Sequence, residues 1–389
     1  MGELSLVRSG RTPGILRDNK GVSWRDLPKL LKSAAAEAGF DLCGIAGVEE
    51  FPELARFPDW IADGHAGEMK YLESRDSSGQ LRRASLQSVF PWARTVMVCA
   101  VNYNTAHPYS TQVQASGRGW ISRYAWSRED YHDSVLRRLR KVEAKAKHLC
   151  QPVEIETRSY VDTGPIVERV YAKYAGIGWL GKNTCLINQQ IGSWLFLGVI
   201  ITSLELTPDL PAPDRCGTCT RCIEACPTQA FVAPHQLDSN KCIAYLTIEK
   251  RGSIPEALRA GIGHQVFGCD ICQDVCPWNR KAPATEKAEF QPREGLVNPA
   301  LEWLAGISEE EFRDSFRGSP VKRAKRNGLR RNALIAIGNS GNSALSPVVD
   351  HAASDPDASV AETAEWARGR LAGNERRGGR VVPVRPRQR

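Results

Sequence analysis

The sequence of 389 residues has no long apolar run, and this absence excludes several classes of protein. The longest run, residues 194–201, has the length of a strand and falls far short of the roughly 18 residues that a membrane helix needs. The first residues contain no apolar segment followed by a small-residue cleavage site, so no export signal is indicated. The sequence therefore predicts a cytoplasmic protein without a membrane contact. Because no repeat or heptad suggests self-association, we expect a monomer.

The first 319 residues also have no excess of either charge. Residues 320–389 hold 14 Lys and Arg against 6 Asp and Glu, so the whole net charge of +8 falls in this last part. Such asymmetry predicts a polyanionic partner, most simply a nucleic acid. The run VKRAKRNGLRR at 321–331 has six cations and no acid. It would neutralise several phosphates as one helix face, although many charge runs are only solvated surface.

Strand and helix signals alternate over the first two hundred residues, which indicates an α/β domain. Residues 96–101 and 194–201 are short apolar runs typical of buried strands. Between them, residues 127–149 carry apolar side chains at spacings of three and four, which predicts an amphipathic helix. Ser127 is the predicted N-cap of this helix.

The composition changes at a proline-rich segment that begins near Pro208. Eight of the twelve cysteines lie between 216 and 276, and helical patterns resembling two HEAT-type helix pairs follow. The Arg-rich end is expected to be disordered. The predicted divisions are an N-terminal extension at 1–22, an α/β domain at 23–207, a cysteine-rich domain at 208–284, a helical domain at 285–374 and a tail at 375–389.

Twelve cysteines without an export signal predict reduced thiols that serve as ligands. Residues 216–227 read C-x2-C-x2-C-x3-C-P, a run that in two-cluster ferredoxins gives three ligands to one [4Fe–4S] cluster and its fourth cysteine to the other. A second run at 269–277 reads C-x2-C-x3-C-P, and Cys242 is the nearby replacement for its missing first cysteine. One predicted ligand set is Cys216, Cys219, Cys222 and Cys276, and the other is Cys226, Cys242, Cys269 and Cys272.

Two structural zinc sites are the alternative, since they also use four thiolates each. The remaining cysteines are predicted to be small buried hydrophobic residues. These are Cys43, Cys99, Cys150 and Cys185.

Beyond the cysteines, several blocks of sequence resemble the epoxyqueuosine reductase family. The matching blocks are GHAGEMKYL at 64–72, ISRYAW and DYH within 121–132, YVDTGPIVER at 160–169, AGIGWLGKNT at 175–184, KCIAYLTIE at 241–249 and CDICQDVCPWNR at 269–280. The segment SREDYH departs from the family, which usually has a glycine there and one residue fewer. The resemblance implies a multi-domain α+β protein with an α/β cobalamin-binding domain, a ferredoxin-like domain with two [4Fe–4S] clusters and a C-terminal HEAT-like domain that binds tRNA.

The resemblance also implies a reaction. The epoxide of epoxyqueuosine, at the first anticodon position of tRNA, would be reduced to the alkene of queuosine with two electrons and two protons, releasing water. An external low-potential donor would supply the clusters, and these would reduce bound cobalamin to cob(I)alamin, the nucleophile that opens the epoxide. A general acid must protonate the departing oxygen.

Asp162 is the candidate for this acid, because burial beside an apolar corrin would keep it protonated. From its position alone it is equally suited to cap a helix that starts near Pro165. His132 is not assigned as a cobalt ligand, since a lone histidine beside a helix more often has a structural role. The predicted cobalamin contacts are Arg123, Tyr124, Lys182, Asn183 and the backbone of Cys269, Asp270 and Ile271.

Trp179 and Trp278 are candidates to stack on an unpaired anticodon base, with core packing as the alternative. Two other functions remain open at this point. One is a cobalamin and iron–sulfur reductase of small molecules, similar to the reductive dehalogenases. The other is a ferredoxin-type electron-transfer protein, for which the flanking domains would have no purpose.

Overall fold

The structure, a computed structural model, describes residues 24–113 and 116–376. The predicted extension at 1–22 and nearly all of the predicted tail at 375–389 lie outside the described residues. Within these ranges, helices and strands are mixed. No helix in the described part of the chain is long and apolar enough to span a bilayer.

The strands are Leu42–Gly47 (β1), Thr95–Asn102 (β2), Trp120–Ile121 (β3), Thr157–Tyr160 (β4), Trp179–Leu180 (β5), Leu186–Ile187 (β6), Leu195–Thr202 (β7), Phe231–Ala233 (β8), Gln236–Leu237 (β9) and Gln265–Phe267 (β10). The α-helices of the first two hundred residues are Leu27–Glu37 (α1), Pro52–Ala55 (α2), Phe57–Ala62 (α3), Leu86–Val89 (α4), Tyr131–Leu149 (α5) and Glu168–Tyr174 (α6). The later ones are Arg221–Glu224 (α7), Ile243–Ile248 (α8), Glu256–Ile262 (α9), Ile271–Asp274 (α10), Leu301–Gly306 (α11), Glu309–Ser315 (α12), Lys325–Ser340 (α13), Ser346–Ala352 (α14) and Ala358–Arg376 (α15).

A four-stranded antiparallel sheet, in the order β1-β2-β7-β4, forms the centre of the first part of the chain. The two predicted strands are confirmed as β2 and β7, and β2 is buried at every residue. The reason is that helices cover both faces of the sheet. Met97 and Val101 pack with α1 and α5 on one face, and Val96 and Val98 pack with α6 on the other.

The predicted helix over 127–149 begins later than expected, at Tyr131. Its N-cap is Asp130, whose side chain accepts a hydrogen bond from the backbone N–H of His132 at 3.0 Å. The prediction of Ser127 as N-cap is wrong, because Ser127 lies in an extended bridge to Pro292. The apolar face of the helix packs on the sheet as predicted.

The proline-rich segment leads from the sheet into the cysteine-rich part and is fixed to the sheet by Asp209. This carboxylate accepts hydrogen bonds from the Lys32 ammonium at 2.5 Å and from the backbone N–H of Ile45 at 2.8 Å. The short helices inside the two cysteine runs, α7 and α10, then pack against each other. Residues far apart in the sequence are therefore brought side by side.

The last helices, α11 to α15, pack around α13, which is buried over most of its length. Their core also includes residues from the first part of the chain. Strand β3 pairs in parallel with β10, so that Trp120 and Trp126 lie among the helical side chains. The last helices and the segment around β3 therefore share one core.

Candidate cluster sites and cavity

The first predicted ligand set combines thiols from both cysteine runs. Cys276, from the second run, packs in the same apolar cluster as Cys216 from the first. Burial raises the pKa of Cys222 to about 11, and the nearby charges of Cys216 and Cys219 add to this rise. Burial likewise raises the pKa of Cys276 to about 11, with Cys216 and Cys222 contributing. The structure thus brings together the first predicted set of four.

The thiols of the other predicted set are also brought together. Cys242 and Cys269 pack in one apolar cluster, and Cys226 accepts a hydrogen bond from the Ala230 N–H at 3.4 Å. Burial raises the pKa of Cys269, and the charges of Cys242 and Cys226 raise it further. Cys272 interacts electrostatically with Cys269 and Cys242. Buried thiols of raised pKa release protons when iron binds them, so metal loading offsets the cost of burying thiolates.

A fifth thiol, Cys185, lies beside the second set. The hydrogen bond that the Cys272 thiol donates to Cys185 is the largest cause of the raised pKa of Cys272 and lowers the pKa of Cys185. Sequence reasoning treated Cys185 as a small buried hydrophobic residue, whereas the structure places it in a cavity wall. No spacing signal distinguishes it from Cys43, Cys99 or Cys150, so it was not identifiable from the sequence.

Three adjoining cavities share wall residues, and one of them reaches Cys185, the thiol beside the second set. The acid cavity, of about 820 Å³, is lined by Asp162, His132 and Tyr71 among others. The inner cavity, of about 360 Å³, reaches Cys185 and Gln273. The side cavity has a volume of about 430 Å³. The acid and inner cavities share the walls Tyr124, Tyr131, Asp162, Glu168 and Arg169.

Asp162 stands at the junction of the acid and inner cavities, in a loop that precedes α6. Its backbone φ of 59° is in the left-handed region, which is uncommon for a residue with a side chain and is found more often at functional positions. Its side chain is 68% exposed. The desolvation expected of a general acid therefore has to come from a bound group. The helix-cap alternative is wrong, because α6 begins at Glu168 with Val167 as its N-cap.

Two side chains of α5 reach the carboxylate of Asp162. The Tyr131 hydroxyl donates to Oδ2 at 3.2 Å, and Nε2 of His132 lies 3.9 Å from the same oxygen. The other ring nitrogen of His132, Nδ1, is 2.7 Å from Asp130 Oδ1. His132 therefore lies between two carboxylates, an arrangement that sequence reasoning did not predict.

The structure describes all of the predicted cobalamin contacts, and among them only Tyr124 lines these cavities. Arg123 is buried instead, and its guanidinium donates to the carbonyls of Thr105 at 2.7 Å and Pro108 at 2.9 Å. Asp270 is also buried and accepts from the Trp120 indole at 2.9 Å and the Arg123 N–H at 2.8 Å. These two residues hold the backbone around β3. Cys269 and Ile271 are likewise not among the lining residues.

Lys182 and Asn183, in the glycine-rich block at 175–184, contact the cluster loops and do not line the three cavities. The Lys182 ammonium donates to the Gly217 carbonyl at 2.7 Å, inside the first cysteine run. The Asn183 amide donates to the Cys272 carbonyl at 3.2 Å, inside the second. The turn thus connects the α/β part to both sets of thiols.

Trp179 and Trp278 do not form a stacking platform. Trp179 is buried and meets Trp278 edge to face with 5.1 Å between ring centroids, beside Cys276. The core-packing alternative is correct for this pair. An exposed aromatic ring is found at the acid cavity instead, where Tyr71 is 45% exposed.

The basic run at 321–331 does not form a single cationic face. Arg330 is buried in an ion pair with Asp355, and Arg331 is buried and donates to the carbonyl of Leu246 at 2.9 Å. Burial lowers the pKa of Arg331 to about 10. Lys322, Arg323 and Lys325 are the exposed cations of this run.

Comparison with known proteins defines first the class and then the family. Residues 215–279 match the model of a 4Fe-4S double cluster binding domain, which covers both thiol sets and makes this a protein with two [4Fe–4S] clusters. The zinc alternative is therefore wrong. Residues 83–163 match a second model, described as Epoxyqueuosine reductase QueG.

Whole-chain relatives give the same family. An epoxyqueuosine reductase of Synechocystis sp. is 45% identical over 295 residues, 75% of this chain and 98% of that protein. Another, of Xanthomonas campestris pv. campestris, is 38% identical and covers 88% of this chain and 95% of its own. The chain belongs to the epoxyqueuosine reductase family.

Two solved structures are also similar. An epoxyqueuosine reductase crystallised with an epoxyqueuosine-modified tRNA-Tyr stem loop is 30% identical, with a TM-score of 0.80 and coverage of 90% of this chain and 91% of that one. The enzyme of Bacillus subtilis, also 30% identical and with a TM-score of 0.79 over the same shares of the two chains, has been solved with its catalytic aspartate loop swung out of the active site.

Proposed function

We propose that this protein reduces epoxyqueuosine to queuosine at the first anticodon position of tRNA, with Asp162 as the proton donor. Residues 23–207 would bind cobalamin, residues 208–284 would form a ferredoxin-like domain with two clusters, and residues 285–374 would form a HEAT-like domain that binds tRNA. Cys216, Cys219, Cys222 and Cys276 would hold one cluster. Cys226, Cys242, Cys269 and Cys272 would hold the other.

The observation that carries this proposal is the position of Asp162. Its carboxylate stands where the inner cavity, which reaches the thiol beside Cys272, meets the acid cavity, which reaches the surface. An acid at this junction faces electrons from one side and substrate from the other. A simple electron-transfer protein would have no use for such an acid.

The adjoining cavities fit a corrin in size and in chemistry. Their walls combine aromatic rings with a few polar groups, as ligand sites in proteins commonly do. Tyr124, Tyr131, Arg169 and Gln273 would contact the bound group, and the second thiol set would lie on its inner side. Cobalamin, when bound, supplies an electron-rich cobalt centre that is nucleophilic toward an epoxide carbon.

The protein's own residues manage the protons. A corrin and a nucleoside above Asp162 would remove its water contacts, and desolvation favours the neutral carboxylic acid that can donate. Tyr131 fixes Oδ2 by a hydrogen bond, and His132, oriented by Asp130, lies on the same oxygen. These contacts orient the carboxyl group of Asp162.

The mouth of the acid cavity has the features of a site for unpaired RNA. Two guanidinium groups lie near the Tyr71 ring, with Arg83 at 5.6 Å and Arg323 at 5.4 Å from the ring centroid. Readers of single-stranded RNA combine aromatic rings that stack on bases with cations that contact phosphates. This mouth suits a nucleotide turned out of the anticodon loop better than a small hydrophobic halide, so the small-molecule reductase is disfavoured.

An anaerobic turnover assay tests the function. Protein with loaded clusters, cobalamin and a low-potential reductant is incubated with tRNA that carries epoxyqueuosine, and the digested nucleosides are analysed by mass. We expect queuosine, with one oxygen fewer than the substrate. Absence of conversion by a preparation with full iron and bound corrin would contradict the proposal.

A further inference from the structure

A second carboxyl group, Glu168, forms part of the wall that the acid and inner cavities share with Asp162. It is the first residue of α6, six residues after Asp162 in the chain. Its Oε1 is buried, and within the described part of the chain no donor lies at hydrogen-bond distance from this atom. An unpartnered carboxyl oxygen in a wall is unfavourable unless the group is neutral or has a function.

The surroundings of Glu168 favour its neutral form. Burial raises its pKa to about 7, and the charge of Asp162 is the next cause of the rise. Arg169 and Arg83 act in the opposite direction but do not cancel it. The charged and titratable groups that share its cavities are Asp162, Arg169, Arg83, Tyr71, Tyr103, Tyr124, Tyr131, His132, Cys185, His235, Glu249 and Arg323.

The proposed reaction requires two protons, and a single carboxylic acid holds one. Both C–O bonds of the epoxide break, the oxygen leaves as water and the two carbons form a double bond, with two electrons from an external reductant through the clusters. Asp162 is largely exposed in the protein alone, but a nucleoside bound over it would close its route to solvent. The second proton then has to come from a group in the wall.

We infer that Glu168 stores the second proton of the reaction. It passes this proton to Asp162, which lines the same two cavities, and Asp162 passes it to the departing oxygen. Glu168 is thus a positioning residue for protons, not the residue that touches the substrate. Asp162 gives its proton when the epoxide opens, Glu168 reprotonates Asp162, and solvent restores Glu168 after product release. This inference rests on the proposed function.

The test compares four forms of the cluster-loaded, cobalamin-supplied protein: the wild type, Glu168→Gln, Glu168→Asp and the surface control Glu302→Gln. Turnover of an epoxyqueuosine-containing anticodon stem loop is measured at pH values on both sides of 7, with excess reductant. A donor is active in its protonated form, so wild-type kcat should fall as the pH rises through about 7. Glu168→Gln should lower kcat on the order of 10²-fold, leave KM unchanged and lose this fall.

Glu168→Asp should restore part of the rate and its pH dependence, which a merely structural role would not produce, and Glu302→Gln should match the wild type. An active wild type whose kcat and pH profile are unchanged in Glu168→Gln would overturn the inference.

A second readout does not depend on turnover. Infrared difference spectra of the cluster-loaded protein should show the carbonyl band of a protonated carboxylic acid that disappears as the pH rises through about 7. This contribution should be missing in Glu168→Gln. If it is present in the wild type while no form converts the substrate, the proposed function fails and the protonated Glu168 stands. If the band is unchanged in Glu168→Gln, the inference is wrong.

Discussion

The two sides of the cavity differ in how completely the protein builds them. On the inner side, thiols from segments about fifty residues apart already lie together and are half-buried or, at Cys276, buried, and Lys182 and Asn183 hold the loops that carry them. On the outer side, Asp162 lies exposed on a loop with a left-handed backbone. The thiols that would hold the clusters are thus positioned by the fold itself, whereas Asp162, the proposed acid, would lose its contact with water only when a ligand binds.

The largest effect is expected on the inner side, from the crossing of the two cysteine runs. Cys276→Ser should remove the same cluster as Cys222→Ser, although the two residues lie in different runs, and either change should abolish turnover. Iron analysis should give half of the wild-type content. The electron paramagnetic resonance of the remaining cluster should be the same in both variants and should differ from that of Cys272→Ser.

Cys43→Ala serves as the control, since Cys43 lies in the sheet beside Cys99. It should retain all iron and full activity. If Cys276→Ser instead resembled Cys272→Ser, the runs would not cross and the ligand sets would have to be redrawn.

On the outer side, Asp162→Asn should leave iron content and corrin absorbance intact while lowering the turnover rate. The amide keeps the shape of the side chain but cannot donate a carboxyl proton, and general acid catalysis contributes on the order of 10²–10⁴-fold. Single-turnover measurements with pre-reduced protein separate this loss from slow electron supply. The exposed Asp133→Asn on α5 is the matched control. A single-turnover rate that is unchanged in Asp162→Asn would move the acid to another residue.

A comparison within the basic run sharpens the same contrast between built-in and exposed groups. Arg330 is buried with Asp355, so Arg330→Ala leaves a buried carboxylate without its partner. Removal of one member of a buried pair costs about 3–5 kcal/mol of the free energy of unfolding. Denaturant unfolding of the cluster-loaded protein measures this loss. The exposed Lys325→Ala is the control and should change stability by less than about 0.5 kcal/mol. Equal stabilities would mean that the pair is not closed in solution.

The cysteines could be predicted from the sequence because their spacing alone indicates cluster ligands. The cysteine runs have a fixed pattern because three closely spaced thiolates must reach one cluster. The basic run has no such pattern, and only the packing of α13 against α8 decides that Arg331 is buried and Lys325 is not. The burial of Arg123 and Asp270 and their hydrogen bonds around β3 depend in the same way on packing that the sequence does not show. Glu168 and His132 depend on distances across the cavity that no local pattern records.

The smallest effect is expected at the mouth of the cavity, where Arg323 lies over Tyr71 and pairs with Glu249. If Arg323 contacts a phosphate of the bound stem loop, Arg323→Ala should weaken binding and lower the slope of log affinity against log salt by about 1. Titration of a fluorescent anticodon stem loop at several salt concentrations measures this slope. Arg313→Ala, an exposed arginine of α12, is the control and should leave the slope unchanged. Because Arg323 already pairs with Glu249, part of its charge is neutralised within the protein. The loss of binding in Arg323→Ala should therefore be small beside the loss of turnover rate in Asp162→Asn. If the slope does not change, Arg323 does not contact a phosphate, and Tyr71 remains as the proposed RNA contact of this pair.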